Sequence, residues 1–191
     1  MSRPADAAAL QANQLGALWA TLEQAVSRGF GEESASTAAA LLTMLHWTEL
    51  RVVALAGILG LSQPATTRLV DALVARGLAR RTAISGREVR VGLTGSGRRH
   101  ANALQQRREE VLTQLLQALD APERAEFERL VSKILVAPVT DRAYARHVCR
   151  FCHHGVCTGA ACSIGTRASA MERDAGIDPD AWRRAGGDGI A

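Results

Sequence analysis

The sequence predicts a mainly α fold with a small β-hairpin wing, a winged helix-turn-helix. Three observations predict it. Between Leu50 and Arg81 two short runs carry apolar residues at helical spacing, separated by Gly60 and Ser62, a helix stop followed by a helix start. After Gly77 the period changes to alternation, with Leu78 to Arg81 and Glu88 to Leu93 read as two strands about a turn that holds Ser85 and Gly86. From Ser62 to His100 eight Arg stand against Asp71 and Glu88, so this stretch carries +6 while the 191-residue chain carries only +4. The basic charge is therefore local, as on a face that meets phosphates.

Taken in order, the chain begins with an expected amphipathic helix from Leu10 to Phe30, with Leu15, Leu18, Trp19, Leu22 and Val26 at helical spacing and a break at Gly29 to Gly31. A second helix is expected from about Ser34 to Trp47. His46, Trp47 and Trp19 are candidates to line a small-molecule pocket, although such residues at helical spacing ordinarily fill core space. No run has membrane-spanning length, and MSRPADAAAL lacks the apolar core of a signal peptide, so the expected location is the cytoplasm.

The helix pair comes next. Val52, Leu55, Ala56 and Leu59 form one apolar stripe; Ser62 is the expected cap of the following helix, and Pro64 lies in its first turn, where a missing N–H costs little. Leu69, Val70, Leu73 and Val74 are expected to face inward. That leaves Ser62, Gln63, Pro64, Thr66, Thr67 and Arg68 at the front as candidate DNA contacts, small or polar side chains and one cation, suited to entering a major groove where Arg reads guanine. Arg81 and, at the tip of the wing, Arg87 are the further candidate contacts, the latter for the minor groove.

The run LGLSQPATTRLVDALVARGLARR followed by REVRVGLTGSG resembles the recognition helix, wing and long-helix entry of MarR-family regulators. The resemblance spans roughly Leu10 to Leu135 and implies a dimeric architecture on a pseudo-palindromic DNA operator. One position departs: the family usually has Asp two residues before the wing Arg, and this chain has Ser85 there.

Thr94 is the expected cap of a helix running to Leu119, with Leu104, Val111, Leu112, Leu115 and Leu116 on one face and the charge run Arg107 to Glu110 solvated on the other. A last helix, PERAEFERLVSKIL, is expected to turn Phe127, Leu130, Val131 and Ile134 inward. The apolar faces at both ends suggest a shared dimer layer. The expected division is dimerisation helices at 1–47, the winged helix at 48–94, further dimerisation helices at 95–136, and a cysteine-rich extension with a flexible tail at 137–191.

In that extension Cys149, Cys152, Cys157 and Cys162 fall in a C-x2-C-x4-C-x4-C array that contains every cysteine of the chain. In a reducing compartment four clustered thiols point to a metal centre rather than disulfides. Two occupants fit. Zinc would staple the segment, and an iron–sulfur cluster would report redox state, oxygen or iron, with Phe151, Val156, Ala160, Ala161 and Ile164 as shielding neighbours. Functional logic favours the cluster, since a regulator gains a signal from a centre that changes charge on oxidation. In the zinc alternative the regulator instead answers a small aromatic ligand. A thiol oxidoreductase is the competing enzymatic reading, but no βαβ pattern surrounds Cys149 and Cys152. Beyond Gly165 only a short turn from Met171 to Ala175, a docked Trp182 and a disordered AGGDGIA end are expected.

Overall fold

The computed structural model describes residues 4–85 and 88–179, in the order α1 (Pro4–Phe30), α2 (Ala35–His46), β1 (Leu50–Arg51), α3 (Val52–Leu59), α4 (Gln63–Ala75), β2 (Ala79–Ser85), β3 (Glu88–Leu93), α5 (Gly95–Leu116), α6 (Ala121–Val136), α7 (Arg142–Val148) and α8 (Ser163–Asp174). Single 3-10 turns occupy Cys149–Phe151 and Gly159–Ala161. Arg87, Trp182 and the AGGDGIA end lie outside the described residues.

Capping chemistry sets most of the boundaries. The Oγ of Ser34 accepts from Thr37 N–H, Asp120 and Glu123 close a reciprocal capping box, and Asp141 accepts from Tyr144 N–H. Gly60 ends α3 at φ 66°, as a left-handed residue should.

The sheet has three strands in the order β1-β3-β2, all antiparallel, one more than the sequence suggested. The sequence places Leu50 and Arg51 at the start of a helix, but they pair with Val91 and Arg90 as a strand. The turn into this strand is made by Glu49 at φ 60°, a conformation that side chains other than Gly rarely hold. Its carboxylate forms an ion pair with Arg80, and Gly92 leaves it room, since a Cβ there would meet Glu49 Oε1 at 3.1 Å.

One apolar core joins α2, α3, α4, the sheet and α5, with Leu41, Leu42, Met44, Leu50, Leu55, Val70, Leu73, Val91 and Leu104 fully enclosed. Each contributes about 1.5–3 kcal/mol by leaving water. The stripe on α3 is buried as expected, while Val74 on α4 stays 37% exposed. Gly97 seats the N-terminus of α5 directly on the start of β2, where a Cβ would lie 1.8 Å from the Leu78 carbonyl oxygen. Thr94 strengthens this junction: its Oγ accepts from Gly97 N–H at 3.0 Å and donates to the Gly77 carbonyl at 2.7 Å.

The inward packing expected of the last helix is absent within the single chain, and the first helix also shows an uncovered apolar face. No residue of α6 is buried, with Phe127, Leu130 and Ile134 at 37%, 44% and 56% exposure, and on α1 Leu15 and Trp19 stand at 53% and 65%. Helical spacing shows which side of a helix is apolar, not whether the same chain covers it.

The segment after Val136 is more ordered than its composition suggested. Where only a turn at Met171 to Ala175 was expected, α8 runs from Ser163 to Asp174, and α7 precedes it. Val139, Ala145, Cys149, Ile164 and Ala168 form a second, small core, and Arg142 ties α7 to α8 through Glu172 and, at 2.7 Å, Ser169.

Candidate functional site

At the front of α4 the Ser62 Oγ accepts from Ala65 N–H at 3.4 Å, which makes it the cap the sequence indicated. Gln63, Pro64 and Arg68 are exposed, Thr67 is half-buried, and Arg68 enters no ion pair among the described residues. Thr66 is a correction. It is 0% exposed and its Oγ1 donates back to the Ser62 carbonyl at 3.1 Å, so it fastens the helix start and is closed to a DNA contact.

Arg81 reaches Asp71 at 2.7 Å and ties β2 to the recognition helix. Arg76 forms an ion pair with Glu33, which also meets His100 Nε2 at 2.8 Å, so His100 faces a carboxylate rather than open phosphate-binding surface. The Arg76 guanidinium holds the Glu33 carboxyl below its ordinary value. Arg80 is paired to Glu49, so Arg76, Arg80 and Arg81 all have acidic partners, and Glu33 and Glu49 lie outside this stretch in sequence. Arg68, Arg98 and Arg99 keep exposed side chains, and Arg87 falls outside the described residues.

The four thiols come together. Cys149 is a neighbour of Cys152 and Cys162, and Cys157 of the same two, so the side chains form a ring of neighbours, none of them in a disulfide. The spacing brings them there because Cys149 and Cys152 bracket a single 3-10 turn while Cys162 caps α8. The ring divides by charge. The Cys149 thiol is pushed up by Cys152 and Cys162, and burial pushes Cys157 up to about 12. Cys162 is drawn down to about 5 by Cys149 and by the Gly165 N–H that its sulfur accepts at 3.2 Å. Cys152 is drawn to about 7 by Cys149, with the Arg108 guanidinium adding to the effect. As they stand, no three Cys, His, Asp or Glu side chains among the described residues are arranged as a ligand set. Of the expected shielding neighbours Ile164 is buried and Phe151 half-buried, but Val156, Ala160 and Ala161 are exposed, Val156 at 69%.

This centre is folded against the winged helix rather than hung from it. Phe151 stacks on Phe30 with ring centroids 5.4 Å apart, and His154 stacks on His46 at 4.8 Å while meeting Trp47 edge-on at 4.2 Å. His46 and Trp47 therefore pack against the extension, while Trp19 is exposed. A recess of about 350 Å³ on α5, lined by Gln106, Glu109, Glu110, Thr113, Gln114 and Gln117, contains none of them. The run Arg107 to Glu110 is likewise not a bare solvated face. Arg107 donates to the Gly29 carbonyl at 3.0 Å, Glu109 meets His153 at 2.7 Å, and the buried Arg108 Nε has no hydrogen-bond partner. A helical wheel shows charge on that face, but not the segment some 40 residues later that covers part of it.

No helix among the described residues is long and apolar enough to cross a membrane. No protein-family model and no curated protein matches the chain. Solved structures do. A MarR family protein from Bacillus stearothermophilus is similar with TM-score 0.62 at 24% identity, over 70% of this chain and 96% of that one. MepR, a transcription regulator of the Staphylococcus aureus multidrug efflux pump MepA, is similar with TM-score 0.58 at 19% identity, over 65% and 95%. Apo MarR from E. coli follows with TM-score 0.53 at 25% identity, over 63% and 96%. Each known chain is matched almost end to end, while roughly a third of this chain has no counterpart in it. By strand order, helix order and these likenesses, the chain has the MarR-like winged helix-turn-helix fold.

Proposed function

We propose that the protein is a dimeric transcriptional regulator that binds a pseudo-palindromic DNA operator, and that its four cysteines hold a metal centre. The observation that carries DNA binding is the front of α4: Gln63, Pro64 and Arg68 exposed on a capped helix with Arg68 unpaired, beside a wing built from β2 and β3. Insertion of such a helix end-first presents Arg68 to base edges. The likeness to MepR and MarR supports the same reading, and so do the uncovered apolar faces of α1 and α6, which a second copy would bury. An enzymatic role for the thiols gains no support, since helices and 3-10 turns, not a βαβ unit, surround Cys149 and Cys152.

For the centre, the closeness of the four thiols favours one ion over a polynuclear cluster. Four thiolates at roughly 2.3 Å from one zinc lie within about 4 Å of each other, whereas a cluster places its own irons and sulfides between them. Uptake replaces the thiol protons with metal–thiolate bonds. The buried Arg108 beside Cys152 supplies positive charge. The exposure of Val156, Ala160 and Ala161 gives an iron–sulfur cluster less shelter than the sequence suggested.

Protein purified without oxygen is expected to be colourless and to hold about one zinc per chain. A brown protein containing iron and sulfide would move the assignment to a redox-sensing cluster, and absence of any metal would reject the centre. On a duplex selected by the protein from a randomised library, Arg68→Ala should relax preference at one base position by about 1–3 kcal/mol, with Arg87→Ala weakening binding more evenly. Unchanged sequence preference in Arg68→Ala would remove Arg68 from the reading role. Sedimentation showing a stable monomer at micromolar concentration would overturn the dimer.

A further inference from the structure

The extension reaches the reading head, the helix pair α3 and α4, through a polar contact at His147. The His147 Nδ1 hydrogen-bonds to the Ile58 carbonyl at 2.9 Å, in the last turn of α3. The same ring lies over Gly60, where a Cβ would meet His147 Cε1 at 2.8 Å. Gly60 is the left-handed residue that ends α3, and Ser62, which caps α4, is two residues further on. His147 thus sits on the turn that fixes the angle between the two helices of the reading head. It is also in the last turn of α7, whose C-cap is Cys149, the most buried member of the thiol ring. Arg150 reinforces this end of α7 by donating to the His147 carbonyl at 2.6 Å.

We propose that the thiol centre regulates the helix-turn-helix through His147, with metal binding fixing the end of α7 and thereby clamping the turn from Ile58 to Ser62. This rests on the metal-centre reading above. The physical basis is that the small core of Val139, Ala145, Cys149, Ile164 and Ala168 shares Cys149 with the ring, so ligation at Cys149 orders α7 and α8 as a unit. With α7 loosened, the Ile58 carbonyl and the Gly60 turn lose their partner. The carbonyls at a helix end have no partner within the helix, so an added donor there is felt by the following turn. Since α3 and α4 pack on each other, the position of the recognition helix follows. The coupling needs no contact between metal and DNA.

Hydrogen exchange on the full chain, stripped of metal under reducing conditions and then reloaded with zinc, tests this directly. Zinc should slow exchange of the backbone amides over 142–174 and, in the wild type, also over 59–66, the latter by about fivefold, the effect of one hydrogen bond. His147→Ala should keep zinc and the protection over 142–174 but lose the effect over 59–66. His147→Asn, whose amide occupies the Nδ1 position, should restore it. Zinc bound with 142–174 protected and 59–66 unmoved in the wild type overturns the clamp alone. An equal response in His147→Ala also overturns it. Failure to bind zinc, in the wild type as in Cys157→Ser, overturns the metal reading beneath it.

Discussion

Among the described residues the main core, which runs from Phe30 to Leu104 and includes the winged helix, buries 18 apolar residues in one cluster, whereas the segment after Val136 buries five, one of them Cys149. At about 1.5–3 kcal/mol for a large side chain and less for Ala, the first cluster supplies several times the apolar stabilisation of the second. The extension compensates in two ways. It leans on the larger core through Phe151 and the His154 stack, and it gathers four thiols that a metal can tie together. Small cores need a staple or a neighbour, and this one has the means for both.

The largest test of the comparison lies in the winged helix. Gly97→Ala should destabilise it by more than about 3 kcal/mol, because the added methyl meets a backbone carbonyl at 1.8 Å and neither α5 nor β2 can yield without breaking the Thr94 junction. Thermal melting followed by circular dichroism reads this, and a shift of only a degree or two would contradict the close approach. Phe151→Ala comes next, at about 2–3 kcal/mol, and should loosen the extension while leaving the winged helix folded. Limited proteolysis should then cut within 142–174 first. Simultaneous loss of both regions would mean that they form one cooperative unit.

A smaller effect comes from pH at the seam between the regions. Burial and the neighbouring His154 push the His46 imidazole from 6.5 down to about 4. The unfolded chain therefore takes up this proton first as pH falls. The contribution of neutral His46 is intact above pH 6.5 and is lost progressively towards pH 4. Between pH 7 and 5 the wild type should lose about 1 kcal/mol more stability than His46→Gln in denaturant titrations, and parallel curves would count against the burial of His46. The smallest effect is at Asp71→Ala, which frees Arg81. It should cost folding less than about 1 kcal/mol and steepen the salt dependence of DNA binding by about one phosphate contact. An unchanged slope would place Arg81 away from the backbone of the duplex.

The sequence by itself determined what depends on near neighbours along the chain. The stripe on α3, the stop at Gly60, the caps at Ser62 and Thr94, and the strand Glu88–Leu93 were legible because capping and periodicity act within a few residues. The C-x2-C-x4-C-x4-C spacing was equally visible, and the four thiols do meet. Tertiary structure alone decided which apolar faces a single chain covers, so that Leu130 and Trp19 stay exposed while Leu104 is enclosed. It decided that Leu50 and Arg51 form a strand, because a two-residue strand exists only when β3 supplies its partner. It also decided the fate of charge. Glu33 and Glu49 reach Arg76 and Arg80 across 43 and 31 residues, and the extension comes to rest on Arg108 and Glu109, pairings that no count along a segment contains. The reason is one of range: hydrogen bonds and side-chain spacing act locally, while burial and ion pairing depend on where distant segments come to lie.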